Sequence, residues 1–172
     1  MINEFITEYF NEDEFWEGNM KKVAVLVLCF VLLCISGCDF SSIYDDDAKI
    51  AGSGDSSSTS MSSRTVIGND YKWKVKMTGM QTIWRYNAEN DGSVSISYML
   101  SVTEGGKAKL VLITPDNEVV ILIENTDNTV YSELQTQNIS VKQGVNRIKI
   151  VGYESPKIEF EMNAETGRFI TE

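Results

Sequence analysis

Val94-Ser95-Ile96-Ser97-Tyr98-Met99-Leu100-Ser101-Val102 decides the fold class of this 172-residue chain. Successive side chains of a strand point to opposite faces, so this stretch places Val94, Ile96, Tyr98, Leu100 and Val102 on one buried face, with Ser95, Ser97, Met99 and Ser101 on the other. Upstream, Tyr71, Trp73, Val75 and Met77 alternate in the same way with Lys72, Lys74 and Lys76. Shorter stretches at 82–87, 107–114, 118–124, 129–134, 138–142, 147–151 and 157–162 read as further strands, with a last one at 168–171. Helical periodicity is absent from this part of the chain. About 108 residues, 65–172, hold one core and not two. The pattern predicts an all-β fold, an antiparallel two-layer β-sandwich of jelly-roll or immunoglobulin-like type.

The punctuation between strands is well marked. Asp91-Gly92 and Gly105-Gly106 are expected to supply positive φ, and Thr114-Pro115-Asp116-Asn117 places proline at the second position of a type I turn. Two runs break the alternation. Leu110-Val111-Leu112-Ile113 and Val119-Val120-Ile121-Leu122-Ile123 are apolar on both faces, as expected of a central hairpin whose outer face needs a cover. The cover would be the preceding tether, a long loop or a partner protein, and the reading in which these strands simply contribute to the core and a rim of loops is preferred to a partner site. Tyr71 and Trp73 are assigned to the core, and the lysine row 72, 74, 76 is read as blunting an edge strand.

Toward the N-terminus the composition shifts. Residues 38–64 are rich in Ser, Gly and Asp and read as a flexible tether; about 25 residues of such coil span roughly 25–30 Å. Asp45-Asp46-Asp47 reads as a solvated, self-repelling extension, because no Asp-x-Asp-x-Asp-Gly loop follows. The whole chain carries a net charge of −10 and the part from residue 38 onward −6, which disfavours nucleic acid as a partner. With no histidine and three cysteines, Cys29, Cys34 and Cys38, two of them in an apolar run, no internal disulfide, no zinc site and no cofactor is expected.

That apolar run, Val23 to Ile35, follows Met20-Lys21-Lys22 and leads into Ser36-Gly37-Cys38. Residues 20–37 resemble a bacterial lipoprotein signal peptide ending in a lipobox. The run is also shorter than the roughly 20 apolar residues a bilayer-spanning helix needs. The resemblance implies a diacylglyceryl thioether on Cys38, removal of the preceding peptide, and an extracytoplasmic, lipid-anchored location at the cell membrane. Residues 1–19 carry six acidic groups and no basic one, contrary to the basic opening of a signal peptide. The codons for Trp16-Glu17-Gly18-Asn19 form a purine-rich tract resembling a ribosome-binding site, so translation is expected to start at Met20. The other reading is a short amphipathic helix on Phe5, Tyr9, Phe10, Phe15 and Trp16.

Val141-Lys142-Gln143-Gly144-Val145-Asn146-Arg147-Ile148-Lys149-Ile150, with the strand at 157–162, resembles the penultimate hairpin of jelly-roll carbohydrate-binding modules. The resemblance covers about 25 residues, and 110–117 resembles the Pro-Asp turn of secreted β-sandwich modules. It implies a sugar-binding role through exposed aromatics. The candidates are Tyr131 and Tyr153 beside turns, and Trp84 with Tyr86 as a same-face pair that would bury 150–250 Å² each if it faced the core instead. The chain is thus read as a monomeric, non-catalytic binding module for a glycan or cell-wall polymer. Two alternatives remain, a structural or protein-docking envelope lipoprotein and a small hydrolase using carboxylates among Glu104, Asp116, Glu118 and Glu124. Without histidine or a free thiol, no triad or cysteine nucleophile is available, and no catalytic residue is assigned.

Overall fold

The computed structural model describes residues 43–171; the signal peptide expected at 20–37, the lipidation expected at Cys38 and the start expected at Met20 lie outside the described residues. Within them the chain forms nine antiparallel strands and one short helix: α1 (Asp47–Ala51), β1 (Ser56–Ile67), β2 (Asp70–Ala88), β3 (Gly92–Glu104), β4 (Lys107–Ile113), β5 (Val119–Thr126), β6 (Gln135–Val141), β7 (Gly144–Tyr153), β8 (Lys157–Ala164) and β9 (Arg168–Phe169). The strand order is β5-β4-β7-β2-β8-β3-β6, with β1 and β9 also pairing β2.

The key element is β2. Its first half lies between β1 and β8, Tyr71 pairing both Val66 and Met162. From Gly79 onward the edge that β8 leaves is taken by β7, since Gly79 pairs Ser57 on one side and Gly152 on the other. Farther on, β9 replaces β1 against Trp84 and Arg85. One curled sheet therefore becomes two layers, β1-β2-β8-β3-β6 and β9-β2-β7-β4-β5. The segments expected as separate strands around 71–77 and 82–87 are one strand of 19 residues. Gly79 makes this continuity feasible, with φ of 99° and a site where an added Cβ would fall 2.1 Å from the Ser56 carbonyl oxygen.

The alternating residues fill the space between the layers. Tyr71, Trp73, Val75 and Met77 of β2, Ile96, Tyr98, Leu100 and Val102 of β3, and Ile158, Phe160 and Met162 of β8 meet Trp84, Leu110, Leu112, Ile148 and Ile150 in one cluster. Burying each such side chain contributes about 1.5–3 kcal/mol. The lysine row does not lie on an edge, because β2 is flanked by β1 and β8 there. Lys72 and Lys74 instead pair across to Glu161 and Glu159 at 2.7 and 2.9 Å on the solvent face.

The stretch expected as a tether is ordered from Ile43 onward. Ile43, Tyr44, Ile50 and Ala51 pack with Val111, Ile113, Val151 and Met80 in a second apolar cluster. This N-terminal strap, residues 43–55, is the cover that the outward face of β4 required. Serine-rich β1 pairs β2 along its length, so the folded region includes residues 43–64. Of the expected central hairpin only β4 is central; β5 is an edge strand with Val120 and Ile121 exposed. Residues 129–134 form no strand beyond a single bridge, Val102 to Thr129, and Gly92 has no positive φ, whereas Gly105 and Gly106 do. The turn at Thr114 is as expected, with the Asn117 N–H donating to the Thr114 carbonyl at 3.0 Å.

Candidate functional site: a cationic groove beside the strap

The strap is fixed at both ends by cations on the outward face of the second layer. At its start the Tyr44 hydroxyl donates to Glu124 at 2.8 Å, and Lys107 stands 4.2 Å over the Tyr44 ring. Burial, with Glu124 adding to it, pushes the Tyr44 phenol far above its ordinary range. At its end, the short helix α1 exposes carbonyls without intrahelical partners. Arg147 donates to the Ala51 and Gly52 carbonyls at 2.7 and 2.9 Å, and Lys149 to those of Gly52 and Gly54 at 2.9 and 2.7 Å. Lys149 is wholly buried, and its only carboxylate partner among the described residues is Asp55, at 3.4 Å. Desolvation pulls the pKa of Lys149 down, with Asp55 opposing the shift.

Beside α1 this face opens into a groove of about 970 Å³. Arg85 and Arg147, cross-strand partners, line it along with Asp47, Ala48 and Ser53 of the strap. Pro115 and Asn117 from the β4–β5 turn, Val119 of β5, Val145 of β7 and the Ala51-Gly52 end of α1 complete the lining. A smaller cleft of about 330 Å³ lies between edge strands β5 and β6, with Glu118, Lys142, Gln137 and Asn138 among its walls.

The sequence-expected aromatics do not form a platform. Trp84 and Tyr86 do share a face, with ring centroids 5.9 Å apart, but it is the core face: Trp84 is fully buried, and its Nε1 donates to the Thr166 carbonyl at 2.9 Å. Gly167 lies so close over this ring that an added Cβ would sit 2.5 Å from Nε1. Tyr86 is half-buried against the same cluster. Tyr153 is half-buried and packs on Tyr44 at 5.7 Å, holding the strap. Tyr131 alone is exposed, its backbone N–H held by the Ser101 hydroxyl at 2.9 Å.

Three of the four candidate carboxylates, Asp116, Glu118 and Glu124, are engaged by neighbouring side chains. Asp116 and Glu118 both bind Lys142, at 2.6 and 3.0 Å, and Lys142 with the Thr114 hydroxyl lowers the Asp116 carboxyl to about 2. Glu124 is engaged by Tyr44. Among the described residues no three Cys, Asp or Glu side chains are grouped to hold a metal ion. The asparagine of the 141–150 stretch serves the fold. Fully buried Asn146 accepts from the Lys142 N–H at 3.1 Å and donates to the carbonyls of Lys142 and Gly144, bracing the β6–β7 turn.

The groove itself is not legible in the sequence. Arg85, Arg147 and the strap are far apart along the chain and meet only through register. The available signal is Arg147 and Lys149 alternating with Ile148 and Ile150, which gives β7 a charged outer face.

No family model and no curated protein matches the chain. Among solved structures it is similar to a family 29 carbohydrate binding module, with 13% identity over 66% of this chain and 80% of that one at a TM-score of 0.35. A mutant family 29 module complexed with mannohexaose matches at 13% identity, 66% and 83% coverage and a TM-score of 0.35. A CBM4 structure matches at 8% identity, 65% and 78% coverage and a TM-score of 0.35.

Proposed function

We propose that this chain is an extracytoplasmic lipoprotein, anchored through lipid on Cys38, whose sandwich acts as a non-catalytic binding module for a glycan or cell-wall polymer. The open groove beside α1 carries the binding part of this reading. It combines hydrogen-bonding groups, Asn117, Ser53 and two arginines, with apolar walls from Pro115, Val119 and Val145, the mixture a saccharide's hydroxyl groups and C–H faces require. The lipobox supports the anchoring. Five residue steps separate Cys38 from Ile43, at most about 18 Å of chain. A lipid on Cys38 would therefore hold the sandwich close to the bilayer, without the long free coil expected from composition.

Two experiments test the two halves. Cys38→Ala should abolish labelling by a palmitate analogue; equal labelling of both proteins would refute the anchor. Ala48→Trp, which fills the groove from the helix side, should abolish binding to isolated wall polysaccharide in calorimetry. Unchanged binding would move the ligand elsewhere. A second reading, protein docking, is supported by β5, an edge strand with Val120 and Ile121 exposed. Under that reading Ile121→Lys would remove the interaction and Ala48→Trp would not.

A further inference from the structure

Among the described residues, the outward face of the β9-β2-β7 strands holds more cations than carboxylates. Register sets Arg168 opposite Arg85 and Arg85 opposite Arg147, so three arginines stand in one row across three adjacent strands. Such strands lie roughly 5 Å apart. Buried Lys149 adds a fourth cation on the same face, two positions from Arg147. The carboxylates that meet this group among the described residues are Asp55, 3.4 Å from Lys149 and sharing a hollow with Arg85 and Arg168, and Asp47 on the groove rim. Like charges directly opposite on neighbouring strands destabilise a sheet, so the row persists at a cost.

Arg147 and Lys149 have strap carbonyls as partners, but Arg85 does not. Its Nε is buried with no acceptor among the described residues. Arg85 lines the groove together with Arg147, and also a second hollow formed with Asp55, Arg168, Phe169, Ile170 and Thr171. Two arginines on one groove, one with its Nε unsatisfied, suit the planar, two-oxygen acceptor face of a carboxylate or phosphate.

We infer that Arg85 and Arg147 form an oxyanion site in the groove, with Arg168 adding positive charge from the adjoining hollow, and that the ligand of the groove bears a carboxylate or phosphate group. The inference rests on the reading of the groove as the ligand site. It narrows the ligand class from glycans in general to acidic ones, with the arginines taking the anion while Asn117 and the apolar wall take the neighbouring sugar.

The test is thermal unfolding and calorimetry on the full chain in neutral detergent and low-salt chloride buffer. The probes are inorganic phosphate, glucuronate, glycerol phosphate and an acidic oligosaccharide, oligogalacturonate, with cellohexaose as neutral control. The anions should raise the midpoint saturably, and less so as salt is added. Arg85→Gln leaves every strap hydrogen bond in place, so it should raise the anion-free midpoint by relieving repulsion while weakening anion binding at least tenfold. Arg85→Lys, which keeps charge without the fork, should fall between, and Arg168→Gln should weaken binding severalfold. No stabilisation by any anion, or Arg85→Gln and Arg168→Gln responding as wild type does, would overturn the site. Binding of cellohexaose with no anion effect would overturn the oxyanion site and leave the binding module standing. Anion binding with no binding of any oligosaccharide, neutral or acidic, would support the site and end the glycan reading.

Discussion

Tyr71 and Asp116 show how single residues set the stability of this molecule. The Tyr71 hydroxyl is buried without a hydrogen-bond partner among the described residues, and burial raises its pKa to about 12, against an opposing effect of Arg64. An unsatisfied buried hydroxyl costs about 1–3 kcal/mol, so Tyr71→Phe is expected to raise stability by about 1 kcal/mol in urea denaturation. A loss would mean that the hydroxyl has an acceptor after all. Asp116 acts through pH. Its folded pKa lies below the ordinary 3.8, so the stability it supplies is complete above that value and is lost as pH falls toward about 2. Asp116→Asn should therefore flatten the stability profile between about pH 4 and 2, and an unchanged acid limb would refute the Lys142 contact as its source. At this scale the sequence is informative about which residues share a face and weak on which way that face points. The five alternating residues from Val94 to Val102 are all buried as their period demands. Trp84 and Tyr86 show the converse: spacing alone cannot tell a platform from a core pair.

Among the elements, the strap was the least legible. Ser, Gly and Asp dominate residues 38–64, and composition of that kind describes a solvated coil. Yet Ile43, Tyr44, Ile50 and Ala51 are enough to dock it, because the apolar outer face of β4 lies beneath them. Strand β1 hides for a related reason. Most of its residues are exposed on both faces, so no alternation marks it, and backbone pairing to β2 does what side chains do elsewhere. Ile50→Asp should undock the strap as a unit, at about 2–4 kcal/mol, the range for losing a buried isoleucine contact. Proteolysis within residues 43–55 should become fast while the far-ultraviolet β signal persists. If the strap stays resistant, its hold lies in the Arg147 and Lys149 hydrogen bonds and not in Ile50.

For the whole molecule, the order of the strap and β1 changes where the folding unit begins. A chain starting at Arg64 lacks the strap and most of β1, leaving Val111, Ile113 and Val151 uncovered and Lys149 without the carbonyls of Gly52 and Gly54. It is expected to melt roughly 10 °C or more below a chain starting at Asp39 and to bind a hydrophobic dye, since each kcal/mol moves the midpoint of such a domain by about 2–8 °C. Equal midpoints would show that the strap contributes nothing. Architecture at this level was largely legible, two antiparallel layers from period-two strands; the passage of one strand between layers was not, because Gly79 reads equally well as a turn. That passage has a consequence for how long the protein survives. With β2 shared, the layers cannot separate without breaking its pairing with β7 or with β8, which disfavours a half-open state that offers its backbone to a protease. Among the described residues, cleavage of the folded protein is expected within the exposed 127–134 segment, and within the strap only when it undocks, while the lifetime of the remaining strands is set by complete unfolding.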